Sequence, residues 1–147
     1  MVAEMYEDDS AMYANTKAWH GLGTVVKEQS NPLQALELSG LDWTVIPSDT
    51  LTYQYLDTYG QEKQGWTTDK VANVREDTGR VLGWVGPNYE IVQNQDLAEL
   101  AYSLAGDDTV VETFGSIRHG ARVYCLVRCD SFIADGKEDV VEQYMLL

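Results

Sequence analysis

From Trp43 onward, the apolar residues of this 147-residue chain recur with a period of two, and one well-marked helix interrupts them. That order constrains the fold more than any other feature. A period of two makes half-buried strands, and a 3.6-residue period makes a helix that covers them. Trp43-Thr44-Val45-Ile46 and Leu51 to Leu56 read as strands, followed by a loop from Tyr59-Gly60 through the polar stretch to Gly65. Thr67 to Glu76 is a weaker strand, Asp77-Thr78-Gly79 a hairpin turn, Arg80 to Val85 the returning strand, and Gly86-Pro87-Asn88 a corner. Asn94 is expected to cap the helix, with Leu97, Leu100, Ala101 and Leu104 on one face and Gly106 as the stop. Val110 to Ile117 and Ala121 to Arg128 are strands joined at His119-Gly120, and Val140 to Leu147 is a last apolar strand.

A shorter helix starts at Asn31-Pro32-Leu33-Gln34. Asn31 can cap, Pro32 suits the first helical position, and Gln34 can reach back as in a capping box. Leu33, Leu36 and Leu41 are its apolar contacts, and Gly40 ends it. The expected fold is α+β: a mainly antiparallel sheet with two short helices packed on one face. Residues 1–11 lack periodicity and read as a flexible acidic arm, and residues 12–147 read as one domain.

Charge narrows the function classes. Ten basic residues stand against 24 acidic ones, a formal charge of -14. Such a surface repels phosphate backbones and attracts basic surfaces, including grooves built to hold DNA or RNA. The chain has no run of about 18 apolar residues, and its start is acidic where a secretory signal needs basic residues and an apolar stretch. A cytoplasmic protein is expected. Cys125 and Cys129, four apart in one strand, lie about 13 Å apart at ~3.3 Å per residue, too far for a disulfide.

Several stretches, in order, resemble the uncharacterised phage/plasmid-like protein family. They are Trp19-His20-Gly21-Leu22-Gly23-Thr24, Ser39-Gly40-Leu41-Asp42-Trp43-Thr44-Val45 and Asp77-Thr78-Gly79-Arg80-Val81-Leu82-Gly83. The likeness continues through Val85-Gly86, Tyr89, Val92-Gln93-Asn94, Gly115-Ser116-Ile117-Arg118 and Val140 to Leu147. It concerns the N-terminal half of that family, whose members run past the position of Leu147. The resemblance implies mobile-element biology and supplies no established active site.

The residues assemble no catalytic set. His20 and His119 are the two histidines, and their spacing from the two cysteines matches no zinc template. His20 lacks an identifiable nucleophile and orienting acid, and His119 reads as a turn residue tolerant of left-handed geometry. Gly83-Trp84-Val85-Gly86 and Gly21-Leu22-Gly23 lack the strand-loop-helix setting of a phosphate cradle. Neither a cofactor nor a metal is expected, and the chain reads as a non-enzymatic accessory protein.

Its expected partner is a basic surface of a host protein or nucleoprotein complex, bound as a nucleic-acid mimic or anti-CRISPR-like inhibitor would bind. Asp8, Asp9, Asp107, Asp108, Glu138 and Asp139 are the candidate contacting charges. The alternative is a DNA-metabolism accessory that binds or anneals single-stranded DNA through Arg118, Arg122, Arg128, Tyr59 and Trp66. Tyr53 and Tyr55 share a strand face with Leu51 and read as core residues instead.

Overall fold

The computed structural model describes residues 6–16, 22–27, 29–105, 110–129, 131–133 and 140–147. In chain order the strands are β1 (Ala11–Ala14), β2 (Thr24–Val26), β3 (Val45–Pro47), β4 (Leu51–Leu56), β5 (Glu62–Thr67) and β6 (Val71–Arg75). They continue as β7 (Val81–Val85), β8 (Val110–Ile117), β9 (Arg122–Arg128), β10 (Phe132–Ile133), β11 (Val140–Val141) and β12 (Tyr144–Leu146). The helices are α1 (Pro32–Leu38) and α2 (Asn94–Ala105). The chain clusters into two compact units, Met1–Asp42 with Val92–Leu147, here the body, and Trp43–Ile91, here the insert.

The body is built on a five-stranded sheet in the order β12-β9-β8-β1-β2. Its pairs are antiparallel except β1 with β2, which run parallel. Both helices cover one face: α1 packs on α2 and β8, and α2 packs on β9. Met12, Leu41, Val111, Phe114 and Val127 are fully buried between these layers. β10 and β11 form a separate short pair. The architecture is thus mainly antiparallel sheet with two short helices, as the periodicity predicts.

The sequence cues for α1 hold in detail. Asn31 is the N-cap, its side-chain oxygen accepts from the Gln34 amide at 2.9 Å, and the Gln34 side chain accepts from the Asn31 amide at 3.2 Å. Past the helix, Gly40 takes φ +67°, the left-handed turn that a helix stop requires.

Helix α2 corrects the expected cap. The Asp96 carboxylate accepts from the Gln93 amide at 2.7 Å, so the cap falls one residue earlier than Asn94. Asn94 lies inside the helix, buried, and its amide donates to the Leu41 carbonyl at 2.8 Å, tying the end of the α1 segment to the start of α2. The buried arc runs through Asn94, Ala98 and Ala101, and Leu100 and Leu104 are exposed. Small alanines let α2 approach its neighbours closely, which leaves the larger leucines on the flank. The stop at Gly106 lies outside the described residues.

Two further expectations change. Residues 9–11, expected within the acidic arm, belong to the body: Asp9 is buried and β1, starting at Ala11, sits inside the sheet between β8 and β2. The stretch expected as a loop to Gly65 is instead strand β5, paired with β4 from Leu56↔Glu62 to Leu51↔Thr67. The turn is short because the Asp57 carboxylate accepts the amides of Tyr59 and Gln61, each at 2.9 Å.

The insert holds two small sheets, β3-β6-β7 and the β4–β5 ribbon. Its buried apolar residues among those described are Trp43, Val45 and Ala72. Arg75 lies over the Trp43 ring at 4.5 Å and makes a bidentate pair with Asp77 at 2.7 and 2.8 Å. That pair holds the Asp77 carboxyl below the usual range, mainly through the Arg75 hydrogen bonds.

Candidate functional site

Two places gather side chains with chemistry to offer: a polar corner in the body and the aromatic ribbon in the insert. The polar corner is built around Asp9. Its carboxylate accepts four hydrogen bonds: from the amides of Tyr6 (2.9 Å), His119 (3.0 Å) and Gly120 (2.7 Å), and from the Ser116 hydroxyl (3.1 Å). It thereby locks the β8–β9 turn, where Arg118 and His119 take φ of +57° and +61°. Beside it, the His119 ring stacks on Tyr6 with centroids 3.8 Å apart, and its Nδ1 meets Asp8 at 2.6 Å.

Serine, histidine and aspartate therefore meet here, yet not as a nucleophilic set. Ser116 is 1% exposed, and its hydroxyl donates to Asp9 and accepts from the Ser10 amide at 3.1 Å. No hydrogen bond among the described residues joins it to the imidazole. The Asp9 carboxylate that Ser116 touches is held by three backbone amides, and the hydroxyl is buried away from solvent. The corner is an anchor for the residues that lead into β1.

Behind it, the Tyr124 ring lies across Gly115, where an added Cβ would meet the phenol oxygen at 2.7 Å. Burial pushes the Tyr124 and Tyr13 phenols up, and the two hydrogen-bond each other. Burial likewise pushes the Cys125 thiol up to about 12, so it is an inert core group. Both cysteines are free.

The ribbon has a different character. Alternation places Leu51, Tyr53 and Tyr55 on one face and Thr52, Gln54 and Leu56 on the other, and Trp66 opposes Thr52. Tyr53 is 53% exposed, Tyr55 50%, Trp66 71%, and Tyr59 at the turn 88%. The Tyr53 and Tyr55 rings tilt at 41° with centroids 6.1 Å apart. Tyr53 lies flat across Gly65, where an added Cβ would stand 2.5 Å from the ring. Tyr53, Tyr55, Gln64, Gly65 and Trp66 line an open groove of about 400 Å³.

The expected core role of Tyr53 and Tyr55 is thus overturned. The missed signal is the partner strand: Glu62-Lys63-Gln64-Gly65-Trp66-Thr67 carries one large apolar residue, too few to bury the rings of β4.

The remaining candidates scatter. Asp8 is engaged with His119, and Asp9 is buried, which corrects its expected place at the surface: four donors repay its desolvation inside the body. Asp107, Asp108, Glu138, Asp139 and His20 lie outside the described residues. Arg122 and Arg128 lie exposed at opposite ends of β9, about 20 Å apart at ~3.3 Å per residue, so they make no cluster. Arg128 is paired with Glu112, whose charge holds the guanidinium protonated. Arg118 has φ of +57° in the turn. Tyr59 and Trp66 belong to the insert, the three arginines to the body.

Among the described residues, no group of three or more His, Cys, Asp or Glu side chains converges as metal ligands. Among them too, no helix is long and apolar enough to cross a membrane. A family described as a domain of unknown function (DUF932) matches residues 81–147. That match takes in β7, α2 and β8 to β12, and leaves out the ribbon and the body's β1, β2 and α1. No curated protein and no solved structure matches the chain.

Proposed function

We propose that this chain is a non-enzymatic accessory protein of a phage or plasmid, acting in the bacterial cytoplasm on a host nucleic-acid-processing or defence complex. Its acidic body steers it to a basic surface, in the manner of a nucleic-acid mimic or anti-CRISPR-like inhibitor, and aromatic side chains anchor it there. The observation that carries this reading is the partition of charge and rings between the two units. The body segments hold 17 of the 24 acidic residues and six of the ten basic ones, a net charge of -11. The insert carries six of the eight exposed tyrosines and tryptophans among the described residues. Charge of one sign raises encounter rates, while buried aromatic anchors supply most of the binding energy at interfaces.

The test is capture of a tagged protein's partners from host extract at several ionic strengths, with and without heparin as a competing polyanion. The reading predicts nucleic-acid-processing partners that leave as salt rises from about 50 to about 200 mM and that heparin displaces. Capture indifferent to both contradicts it.

A second reading, binding or annealing of single-stranded DNA, draws on the exposure of Tyr59 and Trp66, which could stack on bases. A gel shift with single-stranded DNA at moderate salt separates the two: the first reading predicts no shift.

A further inference from the structure

We propose that the groove between β2 and α1 is a docking site for an extended partner segment bearing a lysine or arginine, which pairs with β2 as a sixth strand of the body sheet. The inference rests on the reading that this protein binds a basic partner surface, and adds where and how it does so.

Three features converge here. The first is an open sheet edge, since β2 is the last strand in the order β12-β9-β8-β1-β2. The Asn15 amide donates to the Val26 carbonyl at 2.9 Å, so Val26 turns its backbone groups towards β1. Successive residues of a strand turn those groups to opposite sides, so the Val25 N–H and C=O face away from the sheet. Neither has a hydrogen-bond partner among the described residues. An extended segment laid along β2 can satisfy both.

The second feature is what stands beside that edge. Thr24 and Val26 share the sheet face of Met12 and Phe114, which the helices cover. Gln34, Glu37 and Leu38, spaced i, i+3 and i+4, form the exposed side of α1. Val26, Gln29, Ser30, Gln34, Glu37 and Leu38 line a groove of about 270 Å³. Its walls are held in place: the Ser30 carbonyl accepts from the Val111 amide at 3.1 Å, and the capping box fixes the start of α1. The groove is below the roughly 300–1,000 Å³ of small-molecule sites, which suits it to a side chain. A segment paired with β2 sends every second side chain to this face. An edge of three residues gives few backbone bonds, so a seated side chain must supplement them.

The third feature is charge. Glu37 is the one charged residue of the lining, and it makes no ion pair among the described residues. Val26 and Leu38 offer apolar surface for a long aliphatic stem, and the Glu37 carboxylate can take the cationic head. Lys27, next to Val26 in sequence, does not line the groove. The body's net charge of -11 draws such a segment in and repels a polyanion or a second copy of this chain.

The experiment is a fluorescence-anisotropy titration of labelled probes with the full-length chain, joined to amide hydrogen exchange. Four probes are compared: an alternating Thr/Lys peptide, the same peptide N-methylated at every residue, an alternating Thr/Glu peptide, and oligothymidylate. The Thr/Lys peptide should bind saturably, and the other three at least about tenfold more weakly. At saturation the Val25 amide should exchange about tenfold more slowly or less. Val25→Pro removes only the outward donor of an edge strand and should weaken binding about tenfold. Glu37→Lys should weaken it about tenfold as well, whereas Glu62→Lys, the same charge change in the insert, should leave it within about twofold. Thermal melts confirm that each variant stays folded, and the exchange measurement on the parent chain needs no variant. Equal binding of the N-methylated peptide, or equal losses from Glu37→Lys and Glu62→Lys, would mean that net charge alone is read, and overturns the proposal. Preference for oligothymidylate, or exchange protection at another strand in place of Val25, overturns it too. If no peptide binds while the salt-sensitive host capture persists, this inference fails and the function proposed above stands. If the Thr/Lys peptide binds at Val25 while the host capture ignores salt and heparin, that function fails and the docking site stands.

Discussion

Two tyrosines in this molecule lie across a glycine on the facing strand, and they meet opposite fates. In the body, Tyr124 pairs with Gly115, covers it, and hydrogen-bonds with Tyr13 in the sheet interior. In the insert, Tyr53 pairs with Gly65 and covers it in the same way, but the ring stays half exposed with Tyr55 beside it. The local device is identical, so the pairing does not decide between core and surface. What decides is the neighbouring strand: Tyr124 lies on the sheet face away from Phe114, where Ala11 and Tyr13 of β1 stand beside it, and the two-stranded ribbon has no third strand to flank Tyr53. A ring left open after such local ordering is pre-organised for contact with something else.

The largest expected effect probes the body side. Phe114→Ala empties the centre of the β8 face and should destabilise the protein by about 3–5 kcal/mol in chemical denaturation. A loss well under this would mean the body is less tightly filled than its burial implies. Next comes the polar corner: Asp9→Ala strands the amides of Tyr6, His119 and Gly120 and should cost about 2–3 kcal/mol. Exchange of those amides should quicken with it, which separates loss of the corner from general loosening.

A smaller effect belongs to the α1 cap. Asn31→Ala removes one half of the capping box and should cost about 1 kcal/mol, seen as a modest shift of the denaturation midpoint. The smallest lies in the insert and is best read without an energy. Arg75 holds the Asp77 carboxyl below its ordinary value, so the pair is intact at neutral pH and fails as acid takes the pH down through the lowered value. An NMR titration of the Asp77 carboxyl should show a midpoint below that of an ordinary aspartate, returning upward in Arg75→Ala.

Much of this was legible in the residues because the signals were local. Asn31, Pro32, Gln34 and Gly40 mark the ends of α1 within one stretch, and the period-two runs mark β4, β8 and β9. Asp77-Thr78-Gly79 marks a turn in the same way. The failures came where the outcome depended on distant partners. Nothing near Asp9 announces that donors from residues 116–120 will fold around its carboxylate and draw it inside. Asn94 has the chemistry of a cap but is used to hold the Leu41 carbonyl, 53 residues away. Tyr53 and Tyr55 have the alternation of a core strand, and only the polar make-up of β5 reveals that no core stands beside them. Of the candidate site, Tyr59 and Trp66 were visible as exposed rings, whereas the exposure of Tyr53 and Tyr55 on the other face of the ribbon was not.

The ribbon rings, on this account, are spent on a partner and not on the fold. A thermal melt of the triple variant Tyr53→Ala, Tyr55→Ala and Trp66→Ala puts that to the test. The midpoint should stay within about 3 °C of the parent, with the transition equally steep, as for surface substitutions in a chain of this size. A drop of ten degrees or more, or loss of the cooperative transition, would place those rings in the folding core and contradict the account.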